Sequence, residues 1–226
     1  MIRLEKISKH FGRQQVLKEI NLEFEDGGVY GIVGQNGAGK TTLFRCVAGL
    51  EQYDGSIIST LTPLKNHLGW LPTDPFFFSR ITGKEYLQFC CNARNVPLQD
   101  AESKNIFELP LNRYASDYST GMKKKLALTA ILLQGNKYFI LDEPYNGVDI
   151  QSNIIITEII QRLKALNKTV IIASHIFSTL EETCDAIHYL HQGSIVHSVG
   201  KDGFAALAAT LKAVTLDNRM DKLDLH

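Results

Sequence analysis

A glycine-rich segment near residue 40 restricts the fold of this chain more than any other feature. It matches G-x-x-x-x-G-K-[ST] at every fixed position and lies between the apolar run Val29–Val33 and a helical pattern over 40–50. Its residues are Gly34, Gln35, Asn36, Gly37, Ala38, Gly39, Lys40, Thr41 and Thr42. Glycines let backbone N–H groups converge on phosphates, and the following helix adds its positive dipole. A glycine-rich turn can also merely join a strand to a helix, but this complete match in this context predicts a nucleotide site.

Chemistry assigns roles within that segment. A lysine at this position reaches the outer phosphates, and the hydroxyl that follows it can ligate Mg²⁺. We therefore expect Lys40 to bind the phosphates of ATP and Thr41 to bind Mg²⁺.

Two adjacent carboxylates follow a second apolar run, over residues 138–141. They are Asp142 and Glu143, at the C-terminal end of a predicted strand, where α/β sheets bind ligands. Asp142 is placed to hold Mg²⁺ through water, and Glu143 to orient or deprotonate an attacking water. Alone, Asp-Glu-Pro after a strand is usually a solvated turn. Together with the phosphate loop, it predicts a hydrolytic site.

Strand and helix patterns alternate along most of the chain. Predicted strands cover residues 2–7, 16–24, 29–33, 56–59, 68–71, 138–141, 169–173, 187–190 and 195–199, and predicted helices cover 40–50, 150–166 and 178–184. The capping box formed by Thr82 and Glu85 opens further helical patterns that continue to about residue 133, with a break near 110–120.

This order of elements predicts the fold class. Alternating β and α elements imply a largely parallel sheet with helices on both faces. We predict one α/β domain over residues 1–226, with a P-loop core, a mainly parallel sheet and an N-terminal antiparallel β region. The core comprises 1–78 and 136–226, and 79–135 forms an inserted helical subdomain.

Composition limits the classes of function. Lys+Arg and Asp+Glu both number 24, so no global basic field is available to hold nucleic acid, and we expect none as a partner. The apolar stretches are too short to span a membrane, and the N-terminus does not resemble a signal peptide. The four cysteines have no Cys-x-x-Cys spacing, which favours core thiols over a metal site or disulfides. We expect a cytoplasmic protein that acts on membranes only through a partner.

The segment Tyr118-Ser119-Thr120-Gly121-Met122 narrows the prediction to one family. A Ser-x-Gly sequence alone is commonly a helix cap, but a hydroxyl and an unobstructed N–H at a helix start also form an anion site. Given its position upstream of the Asp142-Glu143 strand, this segment resembles the signature of the ATP-binding cassette family. The resemblance covers nearly the whole chain and is nearest to exporter-type cassettes that pair with separate membrane subunits.

The resemblance implies further site residues. It implies that Ser119 and Gly121 contact the ATP of a partner subunit, and that Asp149, in the segment 145–149, is a dimer contact. It assigns His175 to a catalytic contact with the γ-phosphate and Phe11 to stacking on adenine. A lone histidine is otherwise a core or surface residue, and a strand-end phenylalanine is more often core. The implied working unit is a homodimer or heterodimer with two ATP molecules between its subunits.

The family usually has glutamine where this chain has Thr73, so its contact with Mg²⁺ and its part in coupling to a membrane partner are left open. The run Lys123, Lys124, Lys125 is interpreted as a solvated helix face rather than a partner site.

These observations predict an ATPase subunit of a transporter, peripheral at the inner face of the cell membrane through an integral membrane subunit. The few residues after Lys212 cannot form the regulatory domain of some importer motors, which favours an exporter. The alternative is a cassette protein acting on ribosomes or DNA, but those usually fuse two cassettes or insert long coiled coils. A P-loop kinase or GTPase is disfavoured by the signature segment and by Asp142-Glu143.

Overall fold

Two β-sheets form the framework of the protein, which a computed structural model describes over residues 1–216. The strands are β1 (Ile2–Phe11), β2 (Gln14–Phe24), β3 (Val29–Val33), β4 (Asp54–Ser59), β5 (Leu68–Leu71), β6 (Tyr138–Asp142), β7 (Thr169–Ser174), β8 (Ala186–His191) and β9 (Ser194–Gly200). The helices are α1 (Lys40–Val47), α2 (Gly83–Asn92), α3 (Thr120–Leu133), α4 (Ile150–Ala165), α5 (Phe177–Thr183) and α6 (Phe204–Leu216).

The two sheets differ in strand direction. The smaller sheet has the order β2-β1-β4, and its pairs are antiparallel. The larger sheet has the order β5-β6-β7-β3-β8-β9, with parallel pairs throughout except for the antiparallel pair β8-β9. The predicted fold class is therefore confirmed, including the antiparallel N-terminal region.

The central strands β3, β6 and β7 of the larger sheet are buried at nearly every position, as in parallel sheets that are covered on both faces, whereas the edge strand β9 is largely exposed. Alternate side chains of β6 contribute to different cores: Phe139 and Leu141 pack with the helices α2 to α6, whereas Ile140 packs with α1 and the smaller sheet. The C-terminal ends of β3, β6 and β7 meet at one edge of this sheet.

The helical prediction for the segment before residue 133 was only partly right. Two helices form, and the predicted capping box is present, since Thr82 Oγ1 accepts from Glu85 N at 3.2 Å. Between the two helices, the chain is irregular apart from short 3₁₀ turns at 102–104 and 115–117. One reason is that the Asn105 side chain bonds both the N–H and the carbonyl of Leu109, at 2.9 and 2.8 Å, in place of helical bonds.

Helix α6 was not predicted from the sequence. It follows β9 and buries Phe204 and Leu207 against the core that contains α5. None of the helices in the described part of the chain combines the length and apolar character that a membrane crossing requires.

The four cysteines are free thiols, as predicted. Cys46, Cys91 and Cys184 are buried and Cys90 is half-buried. Burial raises the pKa of Cys46 to about 11 and that of Cys184 to about 12, which keeps both as unreactive thiols.

Candidate nucleotide-binding and hydrolysis site

The glycine-rich segment forms the turn between β3 and α1. Gly39 immediately precedes α1 with φ 110°, a conformation that L side chains rarely adopt. Lys40 is the first residue of the helix and is buried, and its Nζ donates to the carbonyl of Gly34 at 2.7 Å. The turn therefore places a lysine ammonium among backbone groups at a helix N-terminus, as an anion site requires.

Asp142, the last residue of β6, is completely buried beside this loop. Its Oδ2 accepts from Thr41 Oγ1 at 2.7 Å, whereas its Oδ1 has no hydrogen-bond partner within residues 1–216. Burial raises the pKa of Asp142, and hydrogen bonds from Thr41 and Thr73 oppose that rise. A buried carboxylate oxygen without a partner, next to a hydroxyl, fits the oxygen-donor set that Mg²⁺ prefers.

Glu143 has a left-handed backbone, with φ 53°, which is uncommon for a non-glycine residue. Its N–H donates to the carbonyl of Ala173 in β7 at 2.9 Å. Its carboxylate lies between two neighbours: Oε2 is 2.8 Å from His175 Nδ1, and Oε1 is 3.7 Å from Lys40 Nζ. The residue with the strained backbone is therefore the same residue whose carboxylate points at the phosphate loop.

These side chains surround one cavity of about 590 Å³. It is lined by Val16, Asn36, Gly37, Gly39, Lys40, Thr41, Thr42, Thr73, Asp142, Glu143, Asn146 and His175. Most of the predicted phosphate, metal and catalytic residues are therefore brought together, and Thr73 lies with them.

The remaining residues of the phosphate loop lie around this cavity. Gly34 and Gln35 line an adjoining cavity of about 680 Å³, which also contacts His175. Ala38 is buried, and its carbonyl accepts from Gly193 N at 3.1 Å.

Phe11 does not line the cavity. It is 48% exposed at the end of β1, and Lys9 Nζ lies 4.7 Å from its ring centroid. Val16, near the start of the neighbouring strand β2, lines the cavity instead.

Ser119 and Gly121 also lie outside the cavity lining, at the start of α3. The Ser119 hydroxyl accepts from Met122 N at 3.2 Å, so it caps the helix while remaining exposed. A Cβ at Gly121 would lie 2.5 Å from the carbonyl oxygen of Gly147. Glycine is thus required here by close packing of α3 against the loop that follows β6.

Asp149 caps α4. Its carboxylate accepts from Ser152 N at 2.9 Å and pairs with Lys125 Nζ at 3.1 Å. Hydrogen bonds from Ser152 and then Lys125 lower the pKa of Asp149. These contacts are within the chain, so the dimer role of Asp149 stays a prediction.

The interpretation of the lysine run as a solvated helix face was wrong for Lys124. Only 1% of Lys124 is exposed, and its Nζ donates to the carbonyls of Glu143 at 2.7 Å and Asn146 at 2.9 Å. Burial lowers the pKa of Lys124. The periodicity of α3 contained a signal, because Lys124, Leu128 and Ile131 follow an i, i+4, i+7 stripe that the structure buries.

Sequence reasoning also missed Val16 and Asn146 as cavity residues. Asn146 lies in the segment 145–149, for which the family resemblance implies a dimer contact. The next residue, Gly147, packs on α3. Val16 had no local signal, because it reaches the cavity through the packing of β2 against the phosphate loop, where its carbonyl oxygen would lie 3.2 Å from a Cβ at Gly39.

A phosphate loop between β3 and α1, with two carboxylates at the C-terminal end of the parallel strand β6 in the same sheet, places the chain in the P-loop class of nucleotide-binding proteins. Among solved structures, that of an ATP-binding subunit of an ABC transporter has a TM-score of 0.81 with 22% identity, covering 96% of this chain and 98% of that one. A dimeric ATP-binding cassette bound to ADP and Pi has a TM-score of 0.80 with 18% identity, covering 89% and 99%.

The ABC transporter family profile matches residues 17–146. Bacitracin transport ATP-binding protein BcrA of Enterococcus faecalis is 32% identical, over 88% of this chain and 69% of BcrA. ABC transporter ATP-binding protein NatA of Bacillus subtilis is 30% identical, over 87% and 88%. Lantibiotic transport ATP-binding protein SrtF of Streptococcus pyogenes is 28% identical, over 90% and 92%. The chain belongs to the ABC transporter family, as an ATP-binding member.

Proposed function

We propose that this chain binds ATP with Mg²⁺, hydrolyses it to ADP and phosphate, and thereby drives export through a separate integral membrane subunit. The observation that carries the proposal is the Glu143 carboxylate held between Lys40 and His175, beside the buried Asp142. Relatives named for bacitracin transport and for lantibiotic transport support a role in transport.

Binding of ATP uses the phosphate loop. The Lys40 ammonium, which bonds the carbonyl of Gly34, is the nearest cation for the outer phosphates. Thr41 and Asp142 would hold Mg²⁺, because their oxygens lie 2.7 Å apart and Asp142 keeps a second oxygen without a partner within residues 1–216. When bound, Mg²⁺ supplies positive charge that offsets the charge on the phosphates.

Hydrolysis uses Glu143 as the base. Water attacks the γ-phosphorus, the bond to the bridging oxygen of ADP breaks, and Glu143 takes the proton of the water. His175 contacts Glu143 Oε2 through Nδ1, so its ring orients the carboxylate and can also reach the γ-phosphate. Glu143 is held by Ala173 and by its own carboxylate contacts, which restrict its motion before the reaction.

The working unit is a head-to-tail dimer in which Ser119 and Gly121 of one subunit contact the ATP of the other. The exposed start of α3, outside the cavity lining, supports this arrangement, and one structural neighbour is a dimeric cassette. Since this chain contains both half-sites, a homodimer is chemically complete, and a heterodimer would use the same surfaces.

The membrane subunit docks on an aromatic patch formed by Phe76, Phe78 and Phe89. These rings are 76%, 52% and 53% exposed, and the centroids of Phe78 and Phe89 are 5.9 Å apart. Exposed apolar patches of this kind mark interaction sites in soluble proteins. The patch begins three residues after Thr73, which lines the hydrolysis cavity, so an apolar helix docked there would lie next to the site that it must sense. The protein is then peripheral at the inner face of the membrane.

The test is purification of the tagged chain from detergent-solubilised membranes of its source organism. We expect an integral membrane protein to co-purify and, when purified and added back, to stimulate ATP hydrolysis. The double substitution Phe76→Ser and Phe78→Ser should reduce both recovery and stimulation at least severalfold, because it removes exposed apolar contact area.

The matched control is Leu166→Ser, which removes an equally exposed apolar side chain at the end of α4. Equal loss in the control, or full stimulation of the double variant, would contradict the docking surface. Recovery with ribosomes or DNA in place of a membrane protein would contradict the transport function.

A further inference from the structure

Lys124 is a lysine of α3 that the fold buries almost completely. No carboxylate among residues 1–216 forms an ion pair with its ammonium, although buried lysines are normally paired. Its ammonium instead bonds two backbone carbonyls of the loop after β6, those of Glu143 and Asn146. Helix α3 therefore has one lysine directed inward at the loop that contains Glu143.

This contact completes the support of a strained residue. Glu143 is in the left-handed region, and such residues persist only where their surroundings determine the conformation. Its N–H is held by Ala173 of β7, and its carbonyl is held by Lys124 of α3. The peptide groups on both sides of the Glu143 Cα are thus anchored to different elements of the fold.

The same helix makes a second contact with the loop. Gly121, in the first turn of α3, packs so closely on Gly147 that a Cβ would lie 2.5 Å from the Gly147 carbonyl oxygen. Lys124, one turn further along, bonds the carbonyl of Asn146, a residue that lines the cavity. The start of α3 and the hydrolytic loop are therefore joined by contacts at 143, 146 and 147.

We propose that Lys124 is a positioning residue for ATP hydrolysis: its ammonium fixes the backbone of Glu143 and Asn146 and so holds the Glu143 carboxylate at the phosphate loop. The proposal rests on the proposed function, in which Glu143 is the base. Lys124 does not line the cavity proposed for the nucleotide, so its removal should lower kcat and leave ATP binding intact. A base displaced by about an ångström can lose on the order of 100-fold in rate.

The experiment compares two purified variants. Lys124→Met keeps an unbranched side chain that is one atom shorter than lysine and has no N–H donors, and Lys124→Gln keeps two N–H donors on a neutral side chain of the same reduced length. We expect Lys124→Met to lower kcat about 10- to 100-fold and Lys124→Gln to lower it severalfold. In both variants, KM for ATP and the rise in melting temperature with Mg-ATP should stay within about twofold of wild type. Lys123→Met, on the same helix, should match wild type.

Three results would overturn the proposal. The first is a wild-type kcat in either variant. The second is a kcat in Lys124→Gln that is no higher than the kcat in Lys124→Met. The third is a loss of kcat in the variants that is accompanied by an equal loss of the melting-temperature shift with Mg-ATP. The last would indicate general damage to the fold. If Lys124→Met does not fold, Lys124→Gln decides alone, through its lowered kcat with intact binding.

Glu143→Gln, assayed in parallel, separates this proposal from the proposed function. If Glu143→Gln is inactive and Lys124→Met is fully active, only the role of Lys124 fails. If Glu143→Gln hydrolyses ATP normally, the assignment of the base fails and the role of Lys124 fails with it.

Discussion

The phosphate loop and the start of α3, which we propose as two anion sites, both lie at helix N-termini, but they differ in their exposure to solvent. Lys40 is 7% exposed and bonds backbone carbonyls, and it faces the completely buried Asp142 across one cavity. Ser119 is exposed, and its hydroxyl only caps its own helix. The first site is enclosed by the chain that contains it, whereas the second is presented on the surface, where another subunit can reach it.

The two regions are nevertheless connected through α3. The exposed Ser119 begins the helix, and Lys124, five residues later, is buried against the carbonyls of Glu143 and Asn146. Helix α3 therefore has one end at the surface site and one side against the loop that contains Glu143. The following predictions test how far the enclosed site and the surface site are separate.

The largest effect is expected for Glu143→Gln in the enclosed site. An amide cannot accept the proton of the attacking water, so kcat should fall on the order of 100-fold or more while ATP still binds. Steady-state phosphate release measures the first outcome, and the melting shift with Mg-ATP measures the second. Glu158→Gln, on the exposed face of α4, is the control and should be fully active. Near-normal turnover of Glu143→Gln would remove Glu143 from the role of base.

Lys40→Ala should weaken ATP binding by about tenfold to a hundredfold, because it removes a charge-assisted contact to phosphate. Wild type should gain about 2.7 kcal/mol of stability at Mg-ATP concentrations near 100 times Kd, and the variant should gain much less at the same concentration. Differential scanning fluorimetry gives both values. The control, Lys65→Ala, lies on an exposed turn and should behave as wild type. An equal shift in Lys40→Ala would show that the enclosed site does not bind the phosphates.

Substitution of Ser119 in the surface site should have the smallest effect on ATP binding by an isolated subunit, but it should change dimer formation by about tenfold. In a Glu143→Gln background with Mg-ATP, Ser119→Asp should weaken the dimer by about tenfold or more, since a carboxylate repels the partner's ATP. Ser119→Asn is the matched control, because asparagine and aspartate cap helices about as well as serine. Gly121→Asp is less suitable, because any Cβ there would meet the Gly147 carbonyl.

Analytical ultracentrifugation would distinguish the outcomes. Dimerisation that is the same in the aspartate and asparagine variants would exclude Ser119 from the ATP-dependent interface. A melting shift with Mg-ATP that falls in the monomeric Ser119→Asp variant would instead show that the two anion sites are not separate within one subunit.

Most of the strands could be predicted from the sequence, because each contains either a short apolar run or an alternation of apolar and polar residues. The irregular chain over residues 93–109, where helical patterns were predicted, and α6 could not, although the break predicted near 110–120 was correct. In the former, side-chain bonds such as those of Asn105 replace helical bonds, and such bonds leave no periodic pattern. Helix α6 is alanine-rich and apolar over much of its surface, so its sequence lacks a clear buried stripe.

The sequence by itself determined the phosphate loop and the Asp142-Glu143 pair, because each is a continuous segment whose chemistry depends on neighbouring residues and on the strand before it. Only the tertiary structure decided which lysine of the run 123–125 is buried, and that Phe11 lies outside the cavity lining while Val16 lines it. The physical reason is that burial depends on what packs against a given face. The partners of Lys124 are backbone carbonyls 19 and 22 residues away. Because backbone carbonyls have the same chemistry whatever the side chain, the sequence does not indicate which of them will accept from Lys124.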